Sequence, residues 1–204
     1  MHSETKIFLS EKLPKDAENH VTLVLADAKK RIGAHFGNPN AAPIIVVLNT
    51  EDELKNYGLY NTPGKLLFVP WGSYLLLNYN QLSLDVTAHE LVHAEIVHRL
   101  GYLKRQFEIP TWFDEGVAMQ VDFREKYTSL TTINPTDFLN LIRIDTPSKF
   151  WTHDQNETMR HYQMAKSAVK EIFQYSNDSL YLLLEKIRNG EDAIIDSKAR
   201  ETYK

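Results

Sequence analysis

Every strand-like run in this 204-residue chain lies before residue 80, and this order constrains the fold more than any other feature. Residues 43–50 form a β-branched run, and residues 65–70 and 73–79 flank Trp71 and Gly72 like two strands of an antiparallel hairpin. Strands followed by helices, rather than alternating with them, are typical of an α+β fold. The sequence therefore predicts a small, mainly antiparallel N-terminal sheet with helices.

Helical periodicity predicts the remaining elements. An amphipathic helix is expected over residues 15–36, where Gly37 ends it, and a short helix over residues 51–57. The later predicted helices cover residues 83–100, 111–125, 135–144, 156–175 and 177–189. We expect one domain over residues 1–204, with a helix-plus-sheet lobe at 1–80 and a mostly helical lobe at 81–204.

Composition excludes several classes of protein. The chain is 43% hydrophobic and 25% charged, as in ordinary globular proteins, and its net charge of −4 argues against a nucleic-acid partner. It has no cysteine, so any metal must be held by histidine and carboxylate. No run approaches the roughly 20 apolar residues of a membrane span. The first ten residues contain no signal-peptide core, but a trimmed exported chain would look the same, so the compartment stays open.

The segment HELVH places two histidines four residues apart on a predicted helix. Four residues turn an α-helix by about 400°, so His89 and His93 lie about 40° apart on one face and can bind one cation. Glu90 follows the first histidine, where its carboxylate can reach the attacking water instead of the metal. This is the HExxH pattern of metallopeptidases. The alternative is a pair of histidines on an amphipathic helix that binds no metal.

A catalytic zinc site usually has three protein ligands and one open position. The segment PTWFDEGVA, residues 110–118, supplies a candidate for the third ligand in Glu115, in the second turn of a new helix. Gly116 follows it and permits close helix packing, because it has no side chain. The 22 residues from His93 to Glu115 are long enough for a loop and a return to the same site.

HELVHA followed by WFDEGVA resembles the gluzincin metallopeptidases, the group that contains thermolysin and aminopeptidase N. The resemblance covers about residues 86–120. It implies a zincin-like fold whose helical half carries one Zn²⁺ ion, held by His89, His93 and Glu115. In the aminopeptidase N branch the third ligand is the Glu of a W-x-x-E-G-x-A segment, which here is Glu115. Glu90 would be the general base.

Two further comparisons with that group refine the expectation. HYQMAKSAVKEI, from His161, is similar to an aminopeptidase segment in which a tyrosine stabilises the transition state, which implies this role for Tyr162. Tyr162 also fits an apolar helical face, so a packing role stays open. The aminopeptidase motif G-x-M-E-N has no counterpart in VPWGSYLLLNYN, and Met119 stands where thermolysin-type enzymes carry an acid. A divergent endopeptidase, similar to the "peptidase MA-like" domains, is therefore expected.

These observations predict zinc-dependent hydrolysis of peptide bonds in a peptide or protein substrate, bound extended along an edge of the hairpin. Two alternatives remain open: a non-catalytic binding module that keeps a metal, and a zinc hydrolase of a non-peptide substrate. We further expect Asp114 to form a capping box with Thr111, with direct catalysis as the alternative. His98 is expected to cap helix-end carbonyls or face solvent. His153 and His161 are expected to be ordinary surface residues, with a contact to a metal ligand or to the substrate as the alternative.

Overall fold

The computed structural model describes residues 5–127, 133–176 and 179–190. Its strands are β1 (Ile7–Leu9), β2 (Ile44–Leu48), β3 (Gly64–Val69) and β4 (Gly72–Asn78). Its α-helices are α1 (Ala17–Phe36), α2 (Glu51–Asn56), α3 (Leu84–Leu100), α4 (Tyr102–Glu108), α5 (Thr111–Ala118), α6 (Pro135–Leu141), α7 (Pro147–Phe150), α8 (Gln155–Ser176) and α9 (Leu180–Arg188). The first two residues of the helix predicted at 177–189 lie outside the described ranges. None of the described helices is both long enough and apolar enough to cross a bilayer.

The four strands form one sheet in the order β1-β2-β4-β3. The α+β class and the antiparallel β3–β4 hairpin are confirmed. The expectation of a mainly antiparallel sheet is wrong, because β1 pairs with β2 in parallel and β2 pairs with β4 in parallel. The connection through α1 makes β1 and β2 parallel, since a crossover helix returns the chain in the same direction. The short strand β1 was not predicted.

The chain divides into two compact units, Met1–His98 and Arg99–Lys204. In the first unit both faces of the sheet are covered. One face carries the fully buried side chains of Ile45, Val47, Leu75 and Leu77. Leu76, on the other face, packs in a cluster with Leu48, Leu54 and Leu59. Helix α1 buries the predicted apolar positions Val21, Leu25, Ala28 and Ile32.

In the second unit, α5 packs closely against α8. Helix α5 buries all eight of its residues, which explains its apolar sequence. It ends at Ala118, earlier than the predicted residue 125, because the chain turns there through bonds from Gln120 N–H to Val117 and from Val121 N–H to Ala118. A Cβ added at Gly116 would lie 2.5 Å from the Ala165 carbonyl oxygen. The close approach of the two helices therefore requires glycine.

We predict that Gly116→Ala lowers the free energy of unfolding by about 2–3 kcal/mol, because a backbone oxygen cannot move aside for the new methyl group. Gly33→Ala in α1 is the matched control. Its Cβ meets nothing closer than 3.9 Å, so this helical alanine should raise stability by about 0.5–1 kcal/mol. Urea unfolding of the three proteins measures both values. Equal stabilities of the two variants would contradict this packing account.

Candidate metal centre

Helix α3 is held in the first unit by polar contacts as well as by packing. Near its N-terminus, Asp85 pairs with Arg31 of α1 at 2.5 Å. Further along, the buried carboxylate of Glu95 accepts a hydrogen bond from the backbone N–H of Ala41. Its apolar side chains are buried at Val86, Ala88, Leu91, Val92, Ala94, Ile96, Val97 and Leu100. The helix is thus fixed in both position and rotation.

The two histidines of α3 converge on one point. His89 and His93 are each 5% exposed, and their Nε2 atoms lie 3.2 Å apart. Their rings meet edge to face, at 77° and 4.9 Å between centroids. Two nitrogens bound tetrahedrally to one zinc ion at about 2.0–2.1 Å would be about 3.4 Å apart. The observed separation therefore suits two ligands of a single ion.

Glu115 completes this group. It is 4% exposed, and one of its carboxylate oxygens, together with one nitrogen from each of His89 and His93, forms a set whose atoms all lie within 4.8 Å of one another. Two imidazoles and one carboxylate form a donor set that is common for catalytic transition metals. The three residues form a buried group that could bind a metal ion, as the sequence predicted.

Glu90 lies beside this group without belonging to it. On the helical wheel it lies about 60° from His93, so its side chain emerges next to the ligand face. It is half-buried, and its Cγ lies against Gly64 at the start of β3. The residue as a whole is therefore partly accessible to solvent. This position suits a proton acceptor more than a ligand.

Tyr162 lies in an aromatic cluster on α8. Its hydroxyl oxygen accepts a hydrogen bond of 2.9 Å from the indole N–H of Trp151. Its ring packs edge to face on Phe150, with centroids 4.9 Å apart, and on Tyr127 at 5.2 Å. The residue is half-buried, so it contributes packing while its hydroxyl is held in one orientation. Its catalytic role stays a prediction.

The expected capping box at α5 is wrong. Pro110 is the N-cap, and no side chain caps the first turn, because Thr111 already lies inside the helix. Asp114 instead pairs with Arg105 of α4 and is 3% exposed. A buried carboxylate needs a countercharge, which explains why this ion pair forms in preference to a local cap.

The expectation that His161 is a surface residue is also wrong. It is 6% exposed, and its Nδ1 donates to the Phe150 carbonyl at 2.8 Å, since a carbonyl oxygen can only accept. His161 lies four residues before Ala165, on the α8 face that meets α5, so its burial depends on the packing of these two helices. His98 and His153 are exposed, as expected.

No protein-family model, no curated protein and no solved structure matches this chain. The metal centre is therefore inferred from the geometry of His89, His93 and Glu115 and from their spacing in the sequence.

We predict that the metal-free protein binds one equivalent of zinc, and that His93→Ala or Glu115→Ala weakens binding by more than about 100-fold, since even supporting residues of such sites contribute 10- to 100-fold. His98→Ala, at an exposed position of the same helix, is the matched control and should bind like the parent. Calorimetric titration with metal analysis measures affinity and stoichiometry. A ligand variant that binds zinc as tightly as His98→Ala would contradict the assignment.

Proposed function

We propose that this protein is a zinc-dependent peptide hydrolase that acts as an endopeptidase. The observation that carries the proposal is the buried group of His89, His93 and Glu115, with Glu90 adjacent on the same helix. A structural metal site has no use for such a carboxylate. A hydrolytic site requires a base at this position.

Each residue has a distinct task in this proposal. His89, His93 and Glu115 would hold the ion through two imidazole nitrogens and one carboxylate oxygen. Bound zinc lowers the pKa of water towards about 7 and polarises a carbonyl group. Glu90 accepts a proton from the attacking water at its carboxylate and later donates it to the leaving nitrogen. Glu90 is half-buried, as this exchange of protons with water and substrate requires.

Tyr162 is proposed to stabilise the oxyanion that develops on the substrate. In the hydrogen bond from Trp151 the Tyr162 oxygen is the acceptor, and a phenol that accepts one hydrogen bond can also donate its O–H to a substrate oxygen. A donor aimed at developing negative charge is worth about 3 kcal/mol in such reactions. If Tyr162→Phe cleaves as fast as the parent, Tyr162 serves packing alone.

The substrate is proposed to be a peptide bound along the free edge of β3. This strand lies at one end of the sheet and pairs with β4 alone among the described strands. Asn78 N–H donates to the Pro63 carbonyl at 2.9 Å, so residue 63 and every second residue after it face β4. The residues between them face away from β4. Of these, the Gly64 carbonyl accepts a hydrogen bond from Thr62 Oγ1 at 2.9 Å, and the outward backbone groups that follow belong to Leu66 and Phe68. They can pair with an extended chain.

The outer edge of β3 and the position of Glu90 favour a peptide hydrolase over a hydrolase of non-peptide substrates and over a non-catalytic binding module. Pairing with a strand edge favours a peptide over a non-peptide substrate, because it requires a ligand that carries N–H and C=O groups at regular intervals. A binding module that only retained a metal would have no need of Glu90 beside the ligands.

We predict that Glu90→Gln retains zinc and stability but lowers kcat for an unfolded protein substrate by at least about 100-fold, because the amide cannot accept the proton. His98→Ala serves as the control with normal turnover. Zinc analysis, unfolding curves and a peptide-library cleavage assay give the three readouts. Parent-like cleavage by Glu90→Gln would overturn the mechanism, and hydrolysis of non-peptide esters alone would favour the non-peptide alternative.

The edge-strand proposal predicts a periodic response to N-methylation of the substrate backbone. Methylation at one set of alternate residues should weaken binding at least tenfold, because each removes a donor to β3, while methylation of the intervening residues should be tolerated. Competition by a series of singly methylated peptides measures this. Uniform sensitivity, or none at any position, would contradict pairing with β3.

A further inference from the structure

We propose that Gly64 is a positioning residue, which sets the place of the Glu90 side chain relative to the substrate strand. This inference rests on the proposed function for its catalytic meaning. The contacts on which the inference rests involve only residues of β3, β4 and α3 that lie in the first unit. Gly64 is buried, pairs with Leu77 across the hairpin and faces α3.

The space beside Gly64 is too small for a side chain. A Cβ built there would lie 2.9 Å from Val86 Cγ1, 3.3 Å from Glu90 Cγ and 3.3 Å from Leu77 Cδ2. The first distance is shorter than side-chain contacts allow, so some neighbour must move. The backbone itself presents no obstacle, because Gly64 is not among the glycines with positive φ. The constraint comes from neighbouring side chains.

Glu90 is the neighbour most able to move. Leu77 is fully buried, and Val86 is 4% exposed and has a branched Cβ that restricts its rotamers on a helix. Glu90 is half-buried and has a long side chain with several rotamers. A methyl group at residue 64 would therefore press on both Val86 and Glu90, and Glu90, which has more rotamers, would shift at Cγ by at least a few tenths of an ångström.

The same residue begins the strand that is proposed to bind the substrate. The Gly64 carbonyl already accepts a hydrogen bond from Thr62 Oγ1 at 2.9 Å, so a peptide would pair with the outward groups of Leu66 and Phe68 and end beside Gly64 and Glu90. An alanine would leave the backbone groups of β3 in place while moving the base. We therefore expect a loss in kcat with little change in KM, since misplacement of a catalytic group by about 1 Å can cost about 100-fold.

The experiment compares Gly64→Ala with Gly72→Ala, at the opposite end of the same strand pair, where an added Cβ meets nothing within 4 Å. Val86→Ala and the double variant Gly64→Ala/Val86→Ala complete the set, because removing Val86 Cγ1 opens room for the new methyl group. For each zinc-loaded protein we would measure kcat and KM on one extended peptide, zinc affinity, and the Glu90 rotamer by crystallography.

Gly64→Ala should lower kcat about 10- to 100-fold, with KM within about threefold and zinc affinity unchanged. Its Glu90 Cγ should be displaced relative to the parent. Gly72→Ala should resemble the parent in every readout. The double variant should recover kcat to within about threefold of Val86→Ala and return Glu90 Cγ to its position in that variant, whereas a purely structural effect would change kcat without moving Glu90.

The proposal is overturned if Gly64→Ala keeps both the parent's kcat and its Glu90 rotamer, or if the double variant restores the rotamer without restoring kcat. Failure of the proposed function looks different, because the parent itself would then cleave no peptide. The crystallographic comparison still decides in that case whether Gly64 positions Glu90. If Gly64→Ala does not fold, the double variant decides: a displaced Glu90 Cγ with the kcat of Val86→Ala overturns the proposal, and a loss of kcat that accompanies the displacement supports it.

Discussion

The four-residue spacing of two histidines on one buried helix is the constraint on which the site depends. It brings the Nε2 atoms of His89 and His93 within 3.2 Å, a separation that suits two ligands of one ion. This spacing is useful only if α3 cannot rotate. The ion pair from Arg31 to Asp85 and the hydrogen bond from Ala41 to Glu95 oppose such rotation, together with an apolar surface buried along the helix.

Two glycines serve the site by bringing backbone close to a neighbouring element. Gly116 lets α5, which carries Glu115, approach the backbone of α8. Gly64 lets β3 lie against α3 beside Glu90. In both places a methyl group would press on atoms that are already in contact, so a small change in volume reaches a functional side chain. The geometry of the proposed catalytic site would thus depend on the lack of a side chain at Gly64 and at Gly116.

Most of the features that were predicted correctly depend on local sequence patterns. The HELVH spacing, the helix periodicities and the β3–β4 hairpin all depend on residues close in sequence, and the structure contains each of them.

The features that the sequence did not predict depend on partners distant in the chain. The three-residue strand β1 pairs with β2 across more than thirty residues, which no local pattern reveals. Asp114 binds Arg105 instead of forming a cap, and the burial of His161 follows from packing between helices. The roles of Glu90 and Tyr162 remain proposals.

The most direct test is the crystal structure of the zinc-loaded protein, with the ion located by anomalous scattering at the zinc edge. The account predicts one ion, bound by Nε2 of His89, Nε2 of His93 and the carboxylate of Glu115 at about 2.0–2.2 Å, with a fourth position open towards Glu90. An ion held elsewhere, or a fourth protein ligand that closes the coordination sphere, would contradict it.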